Sequence, residues 1–272
     1  MRTLLTTIGV LGLSICLADW SQASVEVYSN LPSPGDAFTY SGGSPGGTQA
    51  IGSTGWIYNN VRNNAVIGIN NTLDRSGNGS VGFQVPTGAK ADIEKYGPLG
   101  TLGSLTSLGY EWYRDSASTA SSHYHPSLRL FVADPITNAL GYLVFELAYN
   151  PSVSAVPVDQ WVSENIVTSD YNLWATGTLP GAFSDYSTTL AEWKSNHSDY
   201  LVLGISSGVG SGWDGSFIGA VDNITIGFDG DSTTYNFEVL SNGVVPEPTT
   251  ILVWSGIAAC AGLAYLRKKQ SV

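Results

Sequence analysis

Between residues 24 and 245, short runs of alternating apolar and polar residues recur at near-regular spacing. Clusters of Gly, Pro, Asn, Asp and Ser separate them. Period-two alternation over a few residues, bounded by turn formers, is the mark of a half-buried β-strand. The pattern predicts strands over 25–28, 54–59, 65–70, 80–86, 105–114, 127–133, 141–149, 155–161, 200–205, 216–228 and 233–239. Alternation is clearest over 126–134, where Leu128, Leu130 and Val132 share a face. Over 141–149, Tyr142, Val144, Glu146 and Ala148 oppose Leu143, Phe145, Leu147 and Tyr149. Asp134-Pro135 and Thr137-Asn138 supply turn chemistry between those two strands. Segments 41–47 and 207–215 read as loops, and 162–173, between Trp161 and Trp174, as irregular. Thr189-x-x-Glu192, with Leu190 and Trp193 at helical spacing, predicts one helix near 188–196. Many short strands and one helix imply an all-β fold: a single β-sandwich of the jelly-roll type, in one domain over 24–244.

Both ends break this pattern. An apolar stretch over 4–17 follows Arg2, and Ser21-Gln22-Ala23 gives a small-x-small cleavage pattern. A secretory signal peptide is therefore expected over 1–23, cleaved between Ala23 and Ser24. An alternative reads Leu13-Ser14-Ile15-Cys16 as a lipoprotein box, although Ile15 stands where a small residue belongs. At the other end, residues 249–266 carry no charge. As a transmembrane helix they would reach about 27 Å, close to the hydrocarbon thickness of a bilayer. Arg267, Lys268 and Lys269 follow at once and would face the cytoplasm. Just before the span stands Val245-Pro246-Glu247-Pro248-Thr249.

A Pro-Glu-Pro motif, a single span and a terminal basic cluster, in that order, resemble the PEP-CTERM sorting signal of Gram-negative bacteria. The same tail is also labelled the ice-binding protein C-terminal domain. The resemblance covers only residues 245–269, within an expected sorting region over 245–272. It implies export through the Sec machinery and anchoring in the inner membrane facing the periplasm. An exosortase would recognise Pro246, Glu247 and Pro248, and delivery would be to the cell surface or extracellular matrix. An ordinary tail anchor that happens to follow a Pro-Glu-Pro is the alternative.

Composition sharpens the picture of the body. The chain has 32 Gly, 14 Tyr, 8 Trp and 8 Phe, while charged residues make up only 12%. Abundant aromatics and sparse charge are the reverse of a disordered composition. Residues 24–244 hold 7 Lys and Arg against 20 Asp and Glu, a net charge of −13, which excludes a nucleic-acid binder. Cys16 and Cys260 both fall in the terminal segments, so no disulfide staples the body.

Motifs for catalysis and cofactors mostly fail on their context. Gly204-Ile205-Ser206-Ser207-Gly208 matches a nucleophile elbow, but a Gly-rich loop follows it and no His lies beyond His197. Gly210-x-Gly212-x-x-Gly215 precedes a strand, whereas a dinucleotide fingerprint opens a helix. His123 and His125 could supply two zinc ligands, with His197 or an Asp as the third, but read more simply as a polar loop before Pro126. Asp229-Gly230-Asp231 begins like a calcium loop, yet Thr234 and Leu240 occupy positions that an EF-hand reserves for Gly and Glu. Glu111, Asp115, Glu146 and Glu164 are candidates for a glycosidase acid pair, and exposed acids on a sheet face are the simpler reading. No catalytic residue is expected.

The segment Phe217-Ile218-Gly219-Ala220-Val221-Asp222-Asn223-Ile224-Thr225-Ile226 resembles the closing strand of galactose-binding-like jelly rolls and related carbohydrate-binding modules, where an Asp-Asn pair interrupts an apolar run. Gly79-Ser80-Val81-Gly82-Phe83 resembles one of their early strands. The resemblance implies a sandwich, a sugar ligand and a structural Ca²⁺ near Asp222; no other cofactor is expected. Sugars stack their C–H faces on Trp and Tyr while neighbouring polar groups bind the hydroxyls. On 108–114, Tyr110, Trp112 and Arg114 point one way and Glu111 with Tyr113 the other, one face being core and one wet. Trp213 stands in a Gly-rich loop beside Asp214. Tyr110, Trp112, Trp213 and Asp214 are accordingly the expected carbohydrate contacts. The sequence points to a non-enzymatic module that binds exopolysaccharide or another surface component. A secreted carbohydrate-active hydrolase and a purely structural envelope protein remain as alternatives.

Overall fold

Alternation over the body resolves into fifteen strands in a computed structural model that describes residues 22–150, 154–210 and 212–241. In chain order they are β1 (Gln22–Pro32), β2 (Phe38–Thr39), β3 (Gly47–Ala50), β4 (Trp56–Arg62), β5 (Val66–Asn70), β6 (Ser80–Val85), β7 (Lys90–Thr101) and β8 (Leu105–Arg114). They continue as β9 (Ser127–Ala133), β10 (Leu140–Phe145), β11 (Trp161–Asn165), β12 (Leu173–Ala175), β13 (Leu201–Val209), β14 (Phe217–Phe228) and β15 (Asp231–Leu240). Two short helices, α1 (Ile166–Ser169) and α2 (Leu190–Asn196), join them.

The strands form two sheets. One has seven strands in the order β12-β10-β9-β13-β7-β4-β3. In the eight-stranded sheet the order runs β1-β15-β14-β6-β5-β2, and β8 lies along the other side of β14 with β11 beyond it. The chain passes repeatedly from one sheet to the other, as jelly rolls do. The two inner faces meet in one core. Trp56, Tyr58, Ile93, Leu130 and Phe145 come from the seven-stranded sheet; Tyr110, Trp112, Phe217 and Phe237 come from the other. Burial of each such side chain contributes about 1.5–3 kcal/mol. No cysteine lies among the described residues, so this core carries the sandwich.

The strands expected over 105–114 and 127–133 have those bounds. Helix α2 begins at the expected capping box: Glu192 N donates to Thr189 Oγ1 at 3.3 Å, and Thr189 N to Glu192 Oε2 at 2.8 Å. Asp134 makes the expected turn, accepting from Ile136 N at 2.8 Å. Five expectations need correction. Strand β7 was not foreseen, because Gly97, Pro98 and its charges disguise the alternation. Residues 155–160 form no strand, and the stretch read as irregular holds most of β11, all of α1 and the start of β12. The loop expected from 207 begins only after Val209, since Gly208 is a regular ladder position opposite Ser127 and Asp92. Strand β10 stops at Phe145, and a 3₁₀ turn over Leu147–Tyr149 follows it.

Strand β1 begins at Gln22, so cleavage between Ala23 and Ser24 would take two residues from its start. The rest of the expected signal peptide lies outside the described residues. So do Pro246, Glu247, Pro248, the span over 249–266, Arg267, Lys268 and Lys269. Among the described residues, no helix is long and apolar enough to cross a membrane.

Candidate functional site

Because Leu128, Leu130 and Val132 turn into the core, strand β9 presents Ser127, Arg129 and Phe131 on the outer face of the seven-stranded sheet. The same alternation turns Tyr142 outward on β10, and Asp92, Glu94 and Tyr96 outward on β7. Trp174 stands between the buried Leu173 and Ala175 of the edge strand β12. Together they shape a groove of about 470 Å³, lined by Lys90, Glu94, Arg129, Tyr142, Glu146 and Trp174 among others.

Its floor is a closed charge network. Asp92 Oδ1 lies 2.9 Å from an Arg129 Nη2, and Asp92 Oδ2 lies 3.0 Å from Lys90 Nζ. Arg129 Nε also donates to Ser127 Oγ at 2.8 Å. Glu94 accepts from Asn59 Nδ2 at 2.5 Å, Tyr96 OH at 2.6 Å, Ser206 Oγ at 3.1 Å and Tyr142 OH at 3.3 Å. Both carboxylates are 0% exposed although they stand on the outer face. Removing one member of such a buried pair costs about 3–5 kcal/mol, so the network fixes the side chains above it. Burial works against the Arg129 charge, but Asp92 outweighs it and holds that guanidinium above its ordinary range. Lys90 falls below its ordinary value through burial, in spite of Asp92.

Aromatic rings rise on both sides of this floor. Phe131 meets Tyr96 edge-on at 5.9 Å and Tyr142 at 5.1 Å, and the two tyrosine hydroxyls touch at 2.8 Å. Around Trp174 lie Tyr186 at 5.8 Å, Tyr149 at 5.9 Å and Phe183 at 6.0 Å. Phe183 is 61% exposed, and Tyr96 and Tyr149 are also open to solvent. Glu146 stands between the two sets, where burial lifts its carboxyl to about 7, partly opposed by Arg129. Flat apolar rings beside fixed donors and acceptors suit a ligand with alternating C–H faces and hydroxyls.

The aromatics expected to contact sugar lie elsewhere. Tyr110 and Trp112 are 2% and 0% exposed, between the sheets, so the face they share is the core and not the wet one. Tyr110 OH donates to Pro126 O at 2.6 Å, and Trp112 stacks on His125 at 4.7 Å. Trp213 is 8% exposed and stacks on Tyr124 at 4.7 Å, so its loop folds back onto the protein. Asp214 is exposed but turned to Ser121, accepting from its N at 2.9 Å and its Oγ at 2.5 Å. His125 is buried, with Nε2 accepting from Leu147 N at 2.9 Å and burial lowering its pKa to about 3. Asp222 is buried at the bulge of β14, where its oxygens accept from Phe237 N at 2.9 Å and Ser76 N at 3.3 Å. Burial lifts it to about 7, and backbone amides therefore occupy the carboxylate expected near a cation. Among the described residues, no group of three or more His, Cys, Asp and Glu is placed to hold a metal ion.

Of the four candidate acids only Glu146 reaches the groove. Glu111 pairs with Arg75 at 2.7 Å, Asp115 binds Ala117 N at 2.7 Å, and Glu164 accepts from Tyr171 OH at 3.1 Å. The groove's floor was missed in the sequence, although two signals for it exist. Residues 91–96 alternate Ala-Asp-Ile-Glu-Lys-Tyr, and Arg129 interrupts an otherwise apolar strand.

No protein family model matches the chain, and no curated protein matches it. Among solved structures, it is similar to a family 11 carbohydrate-binding module from Clostridium thermocellum in complex with a beta-1,3-1,4-mixed-linked tetrasaccharide. That match has a TM-score of 0.37 and 9% identity, over 72% of this chain and 100% of that one. It is also similar to CBM28, a module specific for non-crystalline cellulose, with a TM-score of 0.33, 12% identity and coverage of 74% and 96%. For TmCBM61 in complex with beta-1,4-galactotriose the values are 0.29, 9%, and 69% and 91%. Likenesses this distant carry no argument about what the present chain binds.

Proposed function

We propose that this chain is a non-catalytic carbohydrate-binding protein of the bacterial surface, holding a polysaccharide strand in the groove of its seven-stranded sheet. The observation that carries the reading is the set of rings, Trp174 and Tyr142 foremost, fixed beside the hydrogen-bonding groups of Glu94, Arg129 and Glu146. Export and anchoring belong to the same reading and rest on the sequence of residues 1–23 and 245–269, with an exosortase as the partner at Pro246, Glu247 and Pro248. The full chain in mild detergent should be retained on immobilised exopolysaccharide of the producing organism or on insoluble neutral glycans. Its tryptophan fluorescence should change as it binds. Trp174→Ala should weaken retention by about fivefold or more, the effect of losing one stacking platform at about 1–3 kcal/mol. Equal retention of Trp174→Ala and wild type would remove the groove from consideration.

One observation favours a second reading, glycoside hydrolysis. Glu94 and Glu146 share the groove, and a carboxyl lifted to about 7 is suited to donate a proton. Against it, four donors already occupy the oxygens of Glu94. Release of reducing ends that disappears in Glu146→Gln would establish the hydrolase.

A further inference from the structure

The outer face of the opposite sheet carries a separate slot of about 420 Å³. Strand β8 turns Ser107, Gly109, Glu111 and Tyr113 outward, alternating with buried Leu108, Tyr110 and Trp112. Its edge neighbour β11 sets Asn165, Ser163 and Trp161 directly beside Gly109, Glu111 and Tyr113. Gly109 lines the floor and must stay bare, because a Cβ there would lie 2.5 Å from Glu164 O. Asn223, Thr225, Ser232 and Thr234 form the far wall. Beyond Glu111 the same face continues as a cross-strand aromatic pair, Tyr113 and Trp161, at 5.8 Å.

The chemistry of the slot selects a neutral ligand rich in hydroxyls. Most of its lining is hydroxyl and amide; of its two acids, Glu164 accepts from Tyr171 OH at 3.1 Å, and Glu111, on the outward face, is already answered. Arg75 grips Glu111 with Nε at 2.7 Å and an Nη2 at 3.1 Å, and Asn223 Nδ2 adds a third bond at 2.7 Å. A cation would find the carboxylate taken and an arginine beside it. An anion would find that arginine committed and the body net negative. A sugar can both donate to and accept from such groups, and at one end lies the Tyr113–Trp161 pair, with the Arg75 guanidinium over the Trp161 ring at 5.9 Å.

We infer that this slot is a second carbohydrate subsite, back to back with the groove, so that one molecule bridges two strands of a neutral polysaccharide. The inference rests on the carbohydrate reading of the groove, and the test separates the two. Calorimetry of the full chain in mild detergent is run against cellohexaose, β-1,4-galactohexaose and β-1,4-xylohexaose. Solutions of the parent polymers are followed by viscometry. Wild type should take up two equivalents of a hexasaccharide and thicken its polymer. Ser107→Trp and Ser163→Trp, which plug the slot from β8 and from β11, should each take up one and thicken nothing. Trp174→Ala should also keep one equivalent, held by the slot. Far-UV circular dichroism checks that each plug folds, and Trp161→Phe should remove the fluorescence change caused by the slot in a Trp174→Ala background.

Two equivalents retained by both plugs would overturn the slot. So would a single wild-type equivalent that Trp174→Ala abolishes, with the groove left standing. A single equivalent that the plugs abolish and Trp174→Ala spares would overturn the groove and keep the slot. No uptake of any of the three sugars would overturn both.

Discussion

Glu146 shows how one side chain ties ligand binding to stability. Burial lifts its carboxyl from an ordinary 4.5 to about 7. Between those values the folded protein holds a proton that the unfolded chain has released, so stability falls as pH rises through the window and levels off above it. Asp222, lifted from 3.8 to about 7, acts with the same sign. Wild type should therefore melt several degrees lower at pH 8 than at pH 5, and Glu146→Gln should recover part of that loss at pH 8 while changing little at pH 5. Thermal melts of both proteins at the two values decide it; parallel curves would show that Glu146 does not titrate as described. At this scale the sequence is least legible. The face carrying Tyr110 and Trp112 could be assigned to core or water only by knowing what packs above it, and the structure puts His125 and Phe145 there. Arg129, by contrast, was readable: a guanidinium amid apolar neighbours on a strand must turn to the opposite face and find an acid.

Strand β12 is three residues long and lies at the sheet edge, yet it carries Trp174. Its position depends on neighbours that never touch the groove. Trp193 of α2 donates through Nε1 to Leu173 O at 2.8 Å, Leu173 N reaches Thr188 O at 3.0 Å, and Asn172 N reaches Asn150 Oδ1 at 2.8 Å. Trp193→Phe removes the first of these bonds, worth about 1 kcal/mol. It should weaken glycan affinity about threefold along with the loss of stability, although Trp174 itself is intact. A lowered melting temperature with unchanged affinity would show that β12 is held without α2. The helix and its capping box were legible because a cap is a local signal of four residues. Strands β7 and β12 were not, since one is interrupted by Gly97 and Pro98 and the other is too short to show a period.

On the scale of the molecule, composition already fixed the class: abundant Gly and aromatics, regular short strands and no cysteine between the ends. Because the described residues contain no cysteine, dithiothreitol should leave the melting temperature of the full chain unchanged, as scanning calorimetry with and without reductant would show. A clear shift would mean that a thiol at one end contacts the body. Charge is as unevenly placed as it is scarce. Of the seven cations in the body, Lys90 and Arg129 stand in the groove and Arg75 at the slot, while Arg114 is buried against backbone carbonyls. Their number is plain in the sequence, but only the folded sheets reveal that three of the seven stand at the two candidate sites.

The pairing of β1 with β15 is parallel and joins the two ends of the sandwich, with Gln22 opposite Ser232 and Tyr28 opposite Glu238. Contacts between positions so remote along a chain form slowly, because the intervening loop must close before they contribute anything. During synthesis, the leading strand has no companion until almost the whole body has been made. A chain threaded through a narrow translocation channel has to stay uncoiled until it emerges. Were the chain exported as proposed, this topology would favour that delay, and the first strand to emerge would be among the last to dock.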